Sequence, residues 1–398
     1  MLKKQKVVYL LNHPNDVPLA ILLYKTCPED VQLDVILTNI STYDEFGWGS
    51  KGRSPKFLEP CIQEKDIVDI KALYNPEQIF DCRGVSEFKQ RVKKYDVAIS
   101  RGREFVVLKE LAKKSVALSM NRCYFNRLLD AIPYYNNLKV FLYGPAWLEE
   151  NLCGRFQMDQ HDYSSVEKCM SSFKTIDVLG YYYEHLQKLG KSKIKQELGL
   201  PHDKKIAFLS FRMAEPAYSV HRNVSEFLQK TEKMLLEFKE RGYYILSRER
   251  LDKPNVAWDK RRGVYGKIDE YFNSGLIDIK MNGHAGYPSL VWRAMYASDI
   301  LLLSDVSGIC TNEGILCRTP VYMPYDKYFL DNKLEIYHNE KDPINPVQRD
   351  MIKKGFVFNE FNQKNVDFYK NNIEEFVKQW YNTDIKSFWK EVLEDNEN

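Results

Sequence analysis

Long apolar runs are missing from this sequence. No stretch of its 398 residues approaches the ~20 apolar residues that a helix needs to cross a bilayer. The first apolar run, residues 7–11, is shorter than the core of a secretion signal and leads straight into Asn12, His13 and Pro14. We therefore expect a cytoplasmic protein with at most peripheral contact to a membrane.

Paired cysteines and internal repeats are missing as well. The eight cysteines are scattered, without a CxxC pair or a neighbouring histidine cluster. This spacing is typical of reduced thiols and excludes the common zinc motifs. The sequence also has no solenoid period and no low-complexity tract.

An excess of charge of one sign is the third feature that the sequence lacks. Its net charge is +3, with both signs mixed along the chain, which gives no electrostatic basis for binding a nucleic acid. One basic stretch, residues 248–262 around Trp258, suits an anionic polymer or lipid surface, or equally a solvated loop.

The sequence does contain two rounds of alternating strand and helix patterns, which are typical of an α/β fold. We predict strands over residues 6–11, 31–38, 97–100, 116–120, 138–143, 206–211, 243–247, 276–280, 299–303 and 321–323. We predict helices over residues 17–26, 85–95, 105–114, 194–200, 224–241, 288–297, 365–381 and 385–394. The chain length suits two Rossmann-like domains, residues 1–190 and 191–364, followed by helices over residues 365–398. Residues 42–60 lack periodicity and are predicted to form a long loop over the cleft between the domains.

Residues 297–326 are the most informative segment. A predicted strand ends in Ser304 and Asp305, a small turn with Ser307 and Gly308 follows, and a helix is expected to start at Thr311. Small residues at such a turn expose backbone N–H groups, and a helix start carries a positive partial charge, so the segment favours a phosphate. Glu313, expected in the first turn, would offer its oxygens to a pair of sugar hydroxyls.

The same segment resembles the nucleotide-binding loop of the GT-B glycosyltransferases. The letters ILLLSDVSG resemble the CDP-glycerol glycerophosphotransferases of teichoic acid synthesis, and SGICTNEG resembles UDP-N-acetylglucosamine 2-epimerases and several sugar transferases. Asp305 and Glu313 have the acid-x7-acid spacing of many GT-B enzymes, with Asp where Glu is commoner. The resemblance is specific over residues 297–326 and diffuse elsewhere.

This resemblance implies a GT-B fold and transfer of a sugar or polyol phosphate from a nucleotide-activated donor to a glycan or lipid-linked acceptor, in the synthesis of a surface polysaccharide or glycoconjugate. No cofactor beyond the nucleotide mono- or diphosphate donor is expected. Because no DxD motif stands at a strand end, we also expect independence of metal ions. The resemblance further allows the last helices to cross back onto the first domain. The predicted donor site consists of Ser304, Asp305, Ser307, Gly308, Thr311 and Glu313, with His284 and Tyr287 along the base.

Several of these residues also suit a purely structural role. Asp305 suits the transferred sugar or a helix cap, because a carboxylate beside a phosphate is unfavourable. Ser307 and Gly308 suit a simple turn, and His284 suits a structural hydrogen bond as well as a phosphate.

Arg212 is the predicted partner of the leaving phosphate. It directly follows the predicted strand LSF, in a place that resembles the arginine ending the PTWR strand of the glycerophosphotransferases. A guanidinium there would hold a diphosphate with two parallel hydrogen bonds. The alternative is a surface ion pair with Glu215.

The first domain is expected to bind the acceptor. His13 and Asp16 follow the first predicted strand, where either suits a general base or a helix cap. Arg101 and Arg103 follow another strand and suit an anionic acceptor or an exposed turn. Two further functions stay open: a UDP-sugar 2-epimerase, whose DSGGxxEE loop differs here by Val306 and by a single Glu, and a non-catalytic nucleotide- or glycan-binding scaffold.

Overall fold

The structure is a computed structural model that divides into two compact units. The first unit comprises Met1–Tyr181 and Tyr381–Asn398, and the second comprises Tyr182–Trp380. The structure describes residues 4–11, 17–38, 40–41, 56–57, 67–82, 85–100, 108, 111–119, 138–142, 178–213, 219–248, 263–281, 289–306, 308–334, 346–380 and 385–394.

The first unit is built on a parallel sheet of six strands. Its elements in chain order are β1 (Gln5–Leu11), α1 (Val17–Thr26), β2 (Val31–Leu37), β3 (Ile40–Ser41), β4 (Lys56–Phe57), α2 (Val68–Leu73), β5 (Ile79–Asp81), α3 (Val85–Lys89), β6 (Tyr95–Ser100), β7 (Ala112–Ser119) and β8 (Leu138–Leu142). The sheet order is β5-β2-β1-β6-β7-β8, and β3 and β4 form a separate antiparallel pair. Register is continuous at the sheet centre, where the seven residues of β1 pair with those of β2 from Gln5 with Val31 to Leu11 with Leu37.

The second unit repeats this architecture. It starts within α4 (Val178–Leu189), whose residues up to Tyr181 are counted with the first unit. Its further elements are α5 (Lys191–Glu197), β9 (Lys205–Ser210), α6 (Val224–Glu240), β10 (Tyr243–Arg248), α7 (Lys267–Asn273), β11 (Ile279–Met281), α8 (Ser289–Ala297), β12 (Ile300–Leu303), α9 (Gly308–Leu316), β13 (Val321–Tyr322), α10 (Lys327–Asn332), α11 (Pro346–Lys353), β14 (Val357–Phe358) and α12 (Gln363–Trp380). The sheet order is β11-β10-β9-β12-β13-β14, with parallel pairing throughout.

The strands are apolar because helices cover both faces of a parallel sheet. All four residues of β12 are 0% exposed, and Ala207, Phe208 and Leu209 of β9 are at most 1% exposed. Leu235 and Phe238 of α6 pack into the same core cluster as Leu302. The predicted α/β fold of two Rossmann-like domains is therefore confirmed.

The last helix, α13 (Ile385–Leu393), belongs to the first unit although it follows the second in the chain. The ammonium group of Lys114 on β7 donates to the carbonyl oxygens of Glu391 at 2.9 Å and Glu394 at 2.6 Å. The indole Nε1 of Trp389 donates to Thr26 Oγ1 at 2.9 Å. The helix thus returns to the first unit, as the resemblance allowed.

The helix prediction for residues 105–114 extends too far, because Ala112 to Lys114 lie in β7. Pairing with β6 overrides a local pattern that also suits a helix. The short edge strands β5 and β14 were not predicted. Of the predicted loop over residues 42–60, only β4 lies within the described residues.

Candidate functional site

The strand order places the candidate site of the second unit. Counted along the chain, the order is third, second, first, fourth, fifth and sixth, so the direction of winding reverses between β9 and β12. In open parallel sheets, ligands bind outside the carboxyl ends of the strands at this reversal. The residues that follow β9 and β12 include Arg212, Ser304 and Asp305, so the sheet brings together two segments that sequence analysis singled out separately.

Ser304 ties the end of β12 to the end of β9. Its hydroxyl oxygen accepts the backbone N–H of Arg212 at 2.8 Å, and the hydroxyl donates to the carbonyl oxygen of Arg212 at 2.9 Å, with the carbonyl oxygen of Ser210 as a second acceptor at 3.2 Å. Its side chain is 0% exposed. Ser304 therefore holds the backbone at Arg212 from both sides of that residue.

Asp305 makes a second set of contacts, with the segment that leads into α6. Its Oδ2 accepts from the Ser219 hydroxyl at 2.6 Å, and its Oδ1 accepts from the backbone N–H of Val220 at 2.9 Å and of Val306 at 2.7 Å. The residue is 1% exposed. Three donors offset the cost of burying the carboxylate.

His221 closes this network. Its Nε2 lies 2.7 Å from the carbonyl oxygen of Ser304, which requires the proton on Nε2, and its backbone N–H donates to the Ser219 hydroxyl at 3.0 Å. The imidazole is 1% exposed and meets the Phe227 ring edge-on, with centroids 5.3 Å apart. Burial lowers the pKa of His221, and the nearby Asp305 carboxylate opposes that shift.

We refer to Ser219, His221, Ser304 and Asp305 as the clasp. Lys333, just after α10, supports it, because its ammonium group donates to the Ser219 carbonyl oxygen at 2.7 Å. Burial lowers the pKa of Lys333, and the carboxylates of Asp305, Glu226 and Asp326 act against this shift.

Helix α9 begins at Gly308, so the prediction that it starts at Thr311 is wrong. Thr311 lies one turn inside the helix, and Glu313 lies in the second turn rather than the first. The physical reason is that connections from strand to helix in α/β units are short, so the helix forms before the threonine that resembled its cap. Thr311 is 4% exposed and Glu313 is 5% exposed.

The other predicted site residues fall into two groups. Arg212 is half-buried at the end of β9, and its backbone is held by Ser304. The remaining predicted residues, His13, Asp16, Arg101, Arg103, Glu215, His284, Tyr287 and Ser307, lie outside the described residues, and so does most of the basic stretch.

Sequence analysis missed Ser219, His221 and Lys333. Ser219 and Asp305 are 86 positions apart in the sequence, and no local spacing links them. A serine and a histidine before the helix cap Asn223 look like an ordinary helix entry, so only the sheet order brings them to Asp305.

The described residues also bear on metal binding and on contact with a membrane. Within the described ranges, no three His, Cys, Asp or Glu side chains are grouped so that they could hold a metal ion. None of the helices in the described part of the chain is long and apolar enough to cross a membrane.

Comparisons with known proteins identify the fold. No protein-family model matches the sequence, and no curated protein sequence matches it. A solved structure of a variant of the wall teichoic acid polymerase TagF is similar at a TM-score of 0.50 and 13% identity, covering 98% of this chain and 87% of that one. The UDP-GlcNAc 2-epimerase from Methanocaldococcus jannaschii has a TM-score of 0.49 and 12% identity, covering 96% and 94% of the two chains. A glycosyltransferase from Rickettsia africae has a TM-score of 0.47 and 12% identity, covering 99% and 100%.

At such identities the similarity establishes the fold alone. With its two parallel six-stranded sheets in the same order, the chain has the GT-B fold.

Proposed function

We propose that this protein is a GT-B glycosyltransferase that moves a sugar or polyol phosphate from a nucleotide-activated donor to a glycan or lipid-linked acceptor in polysaccharide or glycoconjugate synthesis. One observation carries the proposal: α9 starts directly outside the carboxyl end of β12, at the reversal of strand order in the second unit. A helix start at that place combines free backbone N–H groups with a positive partial charge, and a donor phosphate matches both.

The donor would lie against the turn that enters α9. The backbone N–H groups at Ser307 and Gly308 would face the phosphates, with Thr311 one turn further along the helix. The Glu313 carboxylate, in the second turn of α9, would accept hydrogen bonds from the ribose hydroxyls. His284 and Tyr287 would lie along the base.

Arg212 would stabilise the leaving group. As the bond between the transferred group and the nucleotide phosphate breaks, negative charge grows on the phosphate oxygens. The parallel pairing of β9 with β12 brings the ends of the two strands to the same edge of the sheet, and a guanidinium at Arg212 would offset this charge there. This positive charge would take the part that a metal ion plays in other transferases, so the proposal includes independence of metal ions.

The first unit would supply the acceptor side. In this proposal His13 or Asp16 takes the proton from the attacking acceptor hydroxyl, whose oxygen forms the new bond to the transferred group. Both residues follow β1, which occupies the same position in its sheet as β9 does in the second sheet.

Incubation with nucleotide sugars and CDP-polyols, followed by mass analysis, tests this function. Transfer to an added glycan, or slow hydrolysis without one, is the expected result. Isomerisation of a UDP-sugar would identify an epimerase instead, and binding without turnover would identify a scaffold. A protein that neither binds nor converts any nucleotide donor would contradict the proposal.

A further inference from the structure

Two neighbouring residues at the end of β12 hold both ends of the segment that links β9 to α6. Ser304 binds the backbone of Arg212 at the beginning of that segment. Asp305 binds Ser219 and Val220 at its end. Ser304 and Asp305 are adjacent in the chain. A displacement at one end of the segment is therefore transmitted to the other end through the single peptide unit between these two residues.

The clasp is closed by further bonds. The His221 imidazole donates to the carbonyl oxygen of Ser304. This oxygen belongs to the peptide group that joins Ser304 to Asp305. Lys333 fixes the Ser219 carbonyl oxygen from the side of α10. These bonds join the two ends of the segment, the end of β12 and the residue after α10 into one hydrogen-bonded network.

Burial separates this role from contact with a ligand. Ser219 and Ser304 are 0% exposed, and His221 and Asp305 are 1% exposed. The Ser304 hydroxyl and both carboxylate oxygens of Asp305 are already engaged within the protein, whereas Arg212, whose backbone Ser304 binds, is half-buried just after β9. A donor bound at this edge would therefore reach Arg212, and the buried residues around Ser304 would lie behind it.

We propose that Ser219, His221, Ser304 and Asp305 are positioning residues, which act on the reaction by fixing the place of Arg212. This inference rests on the proposed function, because it takes Arg212 as the group that stabilises the leaving phosphate. It differs from the prediction that Ser304 and Asp305 touch the donor themselves. Rigid placement matters here because a small displacement of a charge that acts on the transition state lowers the rate more than it lowers ground-state binding.

A double-mutant cycle between Ser219 and Arg212 tests the inference. Ser219→Ala removes one of the three donors to Asp305 without altering Arg212. We expect kcat to fall about tenfold while the dissociation constant of the nucleotide changes less than about twofold. In the Arg212→Ala background, Ser219→Ala should have no further effect on kcat. Asp305→Asn, which keeps one acceptor oxygen and the shape of the side chain, should lower kcat in the same direction and to a smaller extent.

Ser298→Ala is the matched control. Ser298 is also 0% exposed, lies just before the other end of β12, and donates its hydroxyl proton to the Ala294 carbonyl oxygen at 2.7 Å. Loss of the Ser298 hydroxyl should change the melting temperature about as much as Ser219→Ala does, and it should leave kcat unchanged.

The outcomes separate this inference from the proposed function. Equal effects of Ser219→Ala and Ser298→Ala on kcat, or additive losses in the cycle, would overturn the positioning role while turnover by the wild type upholds the function. If the wild type neither binds nor converts a nucleotide donor, the proposed function is refuted. Hydrogen exchange then tests separately whether the clasp fixes the backbone of Arg212. Faster exchange of the Arg212 amide in Ser219→Ala than in Ser298→Ala would support the mechanical link, and unchanged exchange would overturn it.

Discussion

Gly314 of α9 lies so close to Leu301 of β12 that no side chain fits between them. A Cβ atom at Gly314 would be 2.5 Å from Leu301 Cδ2 and 3.3 Å from Val321 Cγ2. The glycine of the Glu-Gly pair thus lets α9 pack directly on β12 and β13. This close packing fixes where the start of α9 lies relative to the strand end that precedes it.

Gly314→Ala should therefore destabilise the protein by about 1–3 kcal/mol, because Leu301 is fully buried and has little room to move. Helix propensity alone predicts the opposite sign, a gain of up to about 1 kcal/mol. Urea unfolding of the two proteins decides between these effects. A stabilised variant would show that the contact with Leu301 relaxes at no cost.

Arg318 is a non-glycine residue with φ 55°, just after the end of α9. Its guanidinium holds the Glu374 carboxylate through Nε at 3.0 Å and Nη2 at 3.1 Å and lies 4.4 Å from the centre of the Tyr183 ring. Arg318→Gly and Arg318→Ala both lose these contacts, but glycine relieves the backbone strain. We expect Arg318→Ala to be less stable than Arg318→Gly by about 1 kcal/mol in urea unfolding. Equal stability would mean that the left-handed backbone carries no strain.

Lys114 should be essential for docking α13 on the first unit. Its side chain is 8% exposed, and its ammonium group binds two carbonyl oxygens at the end of that helix, where a positive charge is favourable. We expect Lys114→Met to lower the free energy of unfolding by about 1–3 kcal/mol and to speed hydrogen exchange over residues 385–394. The control is Lys113→Met, on the exposed side of the same strand, with an expected change within about 0.5 kcal/mol. Similar effects of both variants would argue against this docking.

The stability of the second unit should depend on pH through His221. Burial lowers its pKa in the folded protein, so the folded state binds fewer protons there than the unfolded state does. The stability that the neutral, buried His221 contributes is fully present above the unfolded histidine pKa of about 6.5. It is lost as the pH falls from there towards the lowered pKa of the folded protein. His221→Gln should reduce the loss of stability on acidification in denaturant titrations. Equal pH dependence of His221→Gln and wild type would contradict the assignment.

Local sequence pattern was sufficient for the strand, turn and helix around Ser304. The run from Ile300 to Leu303 is apolar throughout, which is typical of a strand buried on both faces, and the small residues after it mark the turn. The first residue of α9 was missed because Thr311 resembles a helix cap. Pattern alone does not show that the chain enters the helix at Gly308.

The clasp was beyond the reach of local pattern. Ser304 and Asp305 were singled out from the sequence, but their partners Ser219 and His221 come from a distant segment. Their proximity depends on β9 pairing with β12, and sequence analysis did not predict which strands are neighbours. The sequence left Asp305 open between contact with the transferred sugar and a helix cap, and the three donors that its oxygens accept from could not be read from local pattern.

The central claim is that the start of α9 binds a nucleotide-activated donor, and isothermal titration of UDP, GDP, CMP, CDP and ADP tests it most directly. We predict that the wild type binds at least one of them and that Glu313→Ala weakens that binding by about 1–3 kcal/mol, the usual cost of losing one partner of a buried polar contact. Glu375→Ala, which alters an exposed carboxylate on α12, should bind as the wild type does. A protein that binds none of these nucleotides, or a folded Glu313→Ala variant with wild-type affinity, would contradict the account.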